Sequence, residues 1–156
     1  MQRSTWFGTV AVCAVTLVAP CLLQAGTVPA ADDAAIRKVV LDYVEGWYLG
    51  DAVRMERALH PDLVKRGILR DEKTGRQYIQ PTSASAMVRM TESGFGKLKQ
   101  GEVMDNQIEV LDVYGDAATA RALSTHFVDY LHLVRWQGAW KILNALWVPR
   151  APASKP

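Results

Sequence analysis

Asp129 is the side chain of this sequence with the most chemistry to offer. It sits in VDYLHLVRWQGAWKILNALW, Val128 to Trp147, among apolar neighbours. A carboxylate in such a setting has its pKa raised, which suits proton abstraction next to a carbonyl. The alternative is a strand-end aspartate bonded to backbone or paired with an arginine. Asn144, in the same stretch, could orient a ligand through its amide or satisfy a neighbouring side chain. His60 precedes a proline, and its imidazolium would suit the negative end of a helix; a role as acid/base partner is its other use. Tyr43, Trp47, Met87 and Met90 could wall a site for a flat ligand, or simply fill the core. No His-x-x-x-His or paired carboxylates have metal-ligand spacing, and neither a Gly-rich phosphate loop nor a Ser-His-Asp pattern occurs. No metal and no cofactor are expected.

These residues must be held by one domain, because 156 residues are too few for two ordinary ones. With 49% hydrophobic and 22% charged residues the composition is globular, not disordered. The formal charge is +2, spread over 18 basic and 16 acidic residues with no dense basic run. Phosphate binding needs clustered Lys and Arg, so nucleic acid is not expected as a partner.

The N-terminus is a separate object. One charge at Arg3 precedes a run from Trp6 to Leu23 that is free of charge, and small residues follow at Ala25, Gly26, Ala30 and Ala31. This is the pattern of a secretory signal over residues 1–30, cut after Ala25 or Ala30. A membrane span is the rival, since the run is near the lower length limit for one; Pro20 and the small residues favour cleavage. The expected location is the periplasm or the exterior, with no membrane contact after cleavage. Both cysteines, Cys13 and Cys21, lie in this leader. The mature domain therefore has no thiol chemistry and no disulfide, and its core alone must hold it.

Asp32 to Leu49 carries apolar residues at Ile36, Val39, Val40, Tyr43, Val44 and Trp47, the spacing of an amphipathic helix, with Gly50 just past its end. Arg37, Lys38, Asp42 and Glu45 make its solvated stripe. Asp51 caps a second, short helix that Pro61 stops. Leu63–Arg70 and Arg76–Gln80 flank the turn DEKTG as a hairpin closed by Pro81, and Thr82 or Ser83 caps a third helix bearing Met87. Strands follow at Asn106–Tyr114, Ala117–Thr125, Val128–Trp136 and Ala139–Val148, a meander. The domain spans 31–149, and residues 150–156 form a fraying tail. Helices first and antiparallel strands last is an α+β order, and a sheet curled around a long helix leaves room for a ligand.

Gln137-Gly138 makes a two-residue turn, which pairs Trp136 with Ala139 and Leu133 with Ile142. Alternation then puts Asp129, Leu131, Leu133, Trp140, Ile142, Asn144 and Leu146 on one face, and Tyr130, His132, Val134, Lys141, Leu143, Ala145 and Trp147 on the other. Both faces are largely apolar, so both are covered. The first set, with Asp129, Leu131 and Asn144, is expected in the helix-covered pocket. The second, through Tyr130, His132, Leu143 and Trp147, suits a homodimer interface.

HPDLVKR (His60 to Arg66), DYLHL (Asp129 to Leu133) and WKI (Trp140 to Ile142), in this order of elements, resemble the nuclear transport factor 2-like superfamily. The closest branch is that of secreted proteins labelled "putative lumazine-binding". The resemblance covers roughly Asp32 to Trp147. It implies a cone-shaped curved antiparallel sheet wrapped around the long helix with two shorter helices, a cystatin-like roll that is often dimeric through the sheet's outer face. The superfamily includes isomerases, dehydratases, polyketide cyclases and non-catalytic binding domains, so fold does not give function. Two readings stand: an exported domain binding a small apolar or aromatic molecule, or a proton-transfer enzyme with Asp129 as general base and His60 or a tyrosine as partner. N-terminal sequencing of the chain exported by a bacterial host is expected to read from Gly26 or Ala31; an intact, membrane-retained chain would identify the apolar run as an anchor.

Overall fold

In the computed structural model, which describes residues 28–151, the first helical pattern is realised as α1, Ala30–Leu49. The expected leader lies almost wholly outside the described residues, and so does the tail from residue 152. Asp32 and Asp33 donate their N–H groups to the Pro29 carbonyl at 2.9 and 3.0 Å, and their carboxylates sit at the positive end of the helix. Gly50 ends it at φ 70, a conformation costly for any residue with a Cβ, while Asp51 N–H bonds back to Gly46 O at 2.8 Å. One difference appears on the polar stripe. Asp42 is buried, because Arg54 and Arg57 reach up from the next helix to its two oxygens at 2.9–3.0 Å. The two guanidinium groups hold its carboxyl below the usual aspartate range, Arg57 most.

Asp51 caps α2, Ala52–Ala58, by accepting from Arg54 N–H at 3.0 Å. The chain then enters β1, Leu59–Arg70, turns at Gly75, and returns in β2, Gln77–Ser83. Pro81 does not close β2. It lies within it, which an edge strand tolerates because one side of its backbone needs no partner. Ser83 accepts from Ala86 N–H to cap α3, Ala84–Glu92. The meander follows as β3 (Gln107–Tyr114), β4 (Ala117–Leu123), β5 (Phe127–Trp136) and β6 (Ala139–Pro149).

The six strands form one sheet in the order β2-β1-β6-β5-β4-β3. All neighbours are antiparallel except β1 and β6, which run parallel, so the sheet is mixed. Hairpins impose antiparallel pairing only on strands adjacent in sequence. β6 meets β1 after α3 and the whole meander, and three strand reversals bring it back in β1's direction.

The β5–β6 turn has both central residues at positive φ, Gln137 at 50 and Gly138 at 82, the geometry that matches strand twist. Pairing begins as expected, through Leu133↔Ile142. Leu143 then has no partner. The ladder resumes at His132↔Asn144, Leu131↔Ala145 and Asp129↔Trp147. This bulge reverses the alternation of β6 beyond it. Asn144 and Leu146 therefore move to the outer face beside His132 and Tyr130, and Ala145 and Trp147 move to the inner face beside Leu131 and Asp129. The expected pocket position of Asn144 and the expected interface position of Trp147 are both corrected by this single inserted residue.

Helices α1 to α3 cover the inner face. Ile36, Val40, Met55, Leu131 and Ile142 are sealed between the layers, each worth about 1.5–3 kcal/mol of apolar burial. Ala118, Ala120 and Ala122 keep the β4 surface low where α1 passes. At the open end Asp32 accepts from Arg135 Nη2 at 2.6 Å and Trp140 Nε1 at 3.3 Å, tying the start of α1 to β5 and β6. No described helix is long and apolar enough to cross a membrane.

Gly67 on β1 pairs with Trp147, whose indole lies across it. A Cβ there would stand 2.5 Å from Trp147 Cε2, closer than packing allows. Gly67→Ala is expected to cost about 1–3 kcal/mol by overpacking. Urea denaturation would show this as a lower midpoint with an unchanged slope.

Candidate functional site

Period-two alternation turns Leu63, Lys65 and Gly67 of β1 inward and Val64 and Arg66 outward. Lys65 is thereby driven under α1, where it is only 9% exposed. Its ammonium bonds to the Tyr43 hydroxyl and lies 3.3 Å from Asp129 Oδ1. Tyr43 in turn donates to the same Oδ1 at 2.8 Å. The ammonium also stands 4.8 Å from the Tyr43 ring centre and 5.4 Å from that of Trp147, within cation–π range. Asp129 is 2% exposed. Three elements, α1, β1 and β5, thus close one buried polar centre.

This centre forms part of the wall of a cavity of about 260 Å³ between α1, α3 and the inner sheet face. Trp47, Met87, Met90 and Phe95 border it on the helix side, and Phe127 and Trp147 on the sheet side. Gln80 and Thr82 of β2 add polar groups to the lining, and a separate hydrogen-bonded cluster lies at Tyr48. Tyr48 hydroxyl lies 3.0 Å from Ser124 Oγ and accepts from His126 N–H at 2.9 Å. Burial raises the Tyr48 phenol above its ordinary pKa. It raises the Tyr43 phenol much further, with the Asp129 charge as the next cause, so Tyr43 is a hydrogen-bond donor at any physiological pH. Trp147 Nε1 is buried against Gly67 with no acceptor among the described residues.

Of the residues picked out from sequence, Tyr43, Trp47, Met87, Met90 and Asp129 border the cavity. Leu131 is two positions along β5 from Asp129 and is packed into the core at 1% exposure, not against the cavity. Asn144 is on the opposite face, for the reason given above. His60 is the second residue of β1 instead of ending a helix. Its Nδ1 accepts from Asp62 N–H at 3.1 Å and its ring stacks edge-on to Trp136 at 5.0 Å, apart from the cavity. Sequence reasoning missed Lys65 because lysine is rarely buried. The available signal was the alternation of HPDLVKR, which puts Lys65 in line with Leu63. Among the described residues no three His, Cys, Asp or Glu side chains come together.

Chemically, Lys65 and Asp129 form a buried ion pair bridged by the Tyr43 phenol. Such a pair is a poor source of stability, because the Coulomb gain barely offsets desolvation. Removing one member is different, since it strands the other charge. Lys65→Met is expected to cost about 3–5 kcal/mol and Asp129→Asn to be destabilising too, while the double variant recovers much of the loss. A urea-denaturation double-mutant cycle checks this; additive losses would show that the pair is not coupled.

A family model described as "Putative lumazine-binding" matches residues 31–148. The chain therefore belongs to that family, whose description is that of a ligand-binding domain. Its fold is shared by an NTF2-like protein from Methylobacillus flagellatus KT, 22% identical, with 80% of this chain and 96% of that one covered at a TM-score of 0.63. An NTF2-like protein from Silicibacter pomeroyi DSS-3 is also 22% identical, covering 78% of this chain and 98% of that one at 0.59. A cystatin-like domain from Nostoc punctiforme PCC 73102 is 11% identical, covering 81% and 82% at 0.59. No curated protein matches.

Proposed function

We propose that this member of the family is an exported domain that binds a small, largely apolar or aromatic molecule in the cavity between α1, α3 and the sheet, without catalysing a reaction on it. The observation that carries this reading is the buried Tyr43–Lys65–Asp129 centre on the wall of a largely aromatic and thioether-lined space that Gln80 and Thr82 also border. A carboxylate and an ammonium fixed by hydrogen bonds on a cavity wall are well placed to orient a ligand. Export is supported by the leader pattern of residues 1–30. Association of two copies through the outer face is supported by exposed apolar residues there: Tyr130 at 49%, with Val64 and Leu146.

A proton-transfer enzyme is the second reading. One observation favours it: Asp129 has two polar partners within reach, Tyr43 and Lys65. Of the expected partners, His60 is remote from the cavity, while a tyrosine, Tyr43, does reach Asp129.

Native mass spectrometry of protein purified from its own host tests the first reading. The expected spectrum is a dimer carrying a retained small molecule that is lost on unfolding. A monomer with no adduct, even after incubation with cell extract, would remove its support.

A further inference from the structure

A primary amine on the wall of a small apolar cavity has a use beyond its charge. Lys65 is 9% exposed and borders the space between α1, α3 and the sheet, and no other described lysine does. Its Nζ bonds to the Tyr43 hydroxyl and stands 3.3 Å from Asp129 Oδ1. Tyr43 donates to that same Oδ1 at 2.8 Å, so amine, phenol and carboxylate form a closed triangle. Thr82, the β2 partner of Lys65, and Gln80, the β2 partner of Gly67, bring a hydroxyl and an amide to the same wall. Trp47, Met87, Met90, Phe127 and Trp147 make most of the rest apolar.

Imine formation requires these parts: a primary amine, a base for its proton, an acid for the departing oxygen and a dry wall for the body of the carbonyl compound. We infer that Lys65 captures aldehydes with an apolar or aromatic body as a reversible imine, with Asp129 as proton carrier and counter-ion. This rests on the binding reading above and adds a covalent bond to it. Nζ passes a proton to Asp129 across the 3.3 Å contact, which turns the ion pair into a neutral pair with no change in net charge. The freed electron pair attacks the carbonyl carbon, the C–N bond forms, and the π pair moves to oxygen. A second proton leaves nitrogen for that oxygen through the Tyr43 hydroxyl, giving a carbinolamine. Thr82 and Gln80 offer that oxygen neutral donors. Asp129 then returns its proton to the carbinolamine hydroxyl, the C–O bond breaks, water leaves, and the nitrogen electron pair closes C=N. Ammonium and aldehyde have become protonated imine and one water, with nothing oxidised or reduced. The reverse steps release the aldehyde unchanged.

Charge balance selects aldehydes over acyl donors. The protonated imine keeps the single positive charge of the ammonium, in the place where Asp129 and the Tyr43 and Trp147 rings already meet it. An acyl group would convert Lys65 to a neutral amide and strand the Asp129 charge in a dry site. At about 260 Å³ the space lies just below the usual range for ligand pockets, about 300–1,000 Å³, and suits a body of one or two rings.

The test compares naphthaldehyde with naphthalenemethanol, which has the same rings and no carbonyl. Equilibrium dialysis is expected to give the unaltered protein a Kd at least about tenfold lower for the aldehyde. Sodium cyanoborohydride, added with equimolar aldehyde, fixes the imine as a stable amine. Peptide mass mapping is then expected to find Lys65 labelled at least about tenfold faster than any other lysine. Lys65→Arg keeps a positive charge opposite Asp129 and removes the primary amine, so it is expected to bind both probes equally. Equal Kd values for the two probes on the unaltered protein, or label on exposed lysines and none on Lys65, overturn the inference while leaving the binding reading intact. So does a folded Lys65→Arg variant that keeps the preference for the aldehyde. If neither probe binds protein shown to be folded by circular dichroism, the binding reading falls and this inference with it. If Lys65→Arg does not fold, the peptide map of the unaltered protein decides alone.

Discussion

Side chains alternate along a strand, so Trp140 and Trp147, seven residues apart on β6, would face opposite ways in a regular ladder. Both face the helices, because Leu143 is an unpaired residue between them. Much of the molecule depends on that one insertion. Trp140 reaches Asp32 and fixes the start of α1, while Trp147 lies over Gly67 and walls the cavity beside Lys65. Without the bulge Asn144 and Leu146 would take the inner positions. The indole that covers the ion pair would then be in solvent, and Gly67 would face an unfilled gap. The glycine and the bulge are complementary: one clears the volume that the other fills.

The polar centre imposes a second constraint. An ammonium and a carboxylate can be taken out of water only if each finds its charge and its hydrogen bonds inside the protein. α1 helps to meet that need through one side chain, the Tyr43 phenol, which donates to Asp129 and accepts from Lys65. Apolar residues of similar volume would stabilise the core at least as well. Stability therefore does not explain the pair, and the binding role proposed for it rests on its place on a cavity wall.

Features set by local chemistry were legible in the sequence. The period of α1, the caps at Asp51 and Ser83, and the Gln137-Gly138 turn all depend on residues close in the chain. Features set by tertiary contact were not. Leu143 carries no mark of a bulge, being neither glycine nor polar. The parallel β1–β6 pair joins strands about eighty residues apart, for which no short-range signal exists. Asp42 reads as solvent-facing until Arg54 and Arg57 arrive from α2. Lys65 reads as exposed until Asp129 and Tyr43 are placed beside it. Four residues of the cavity wall, Tyr43, Trp47, Met87 and Met90, were found because aromatic and thioether side chains on an apolar helix face point inward whatever their use. The cation was missed because its burial is conditional on a partner far along the chain.

Two phenols five residues apart on α1 show where the interior is finished and where it is not. Tyr48 has its oxygen satisfied by Ser124 and by the backbone N–H of His126, and Ser124 in turn donates to the Phe127 carbonyl at 3.1 Å. Its polar atoms are used within the protein. Tyr43 leads into a network with capacity to spare, since Asp129 takes both its bonds on one oxygen and the ammonium of Lys65 has a donor left. Both tyrosines border the same space, so the difference is not one of solvent access. A fold built only for stability would close the second network as it closes the first. That it does so at the Tyr48 end and not at the Tyr43 end is the asymmetry on which the proposed binding role of Lys65 and Asp129 rests.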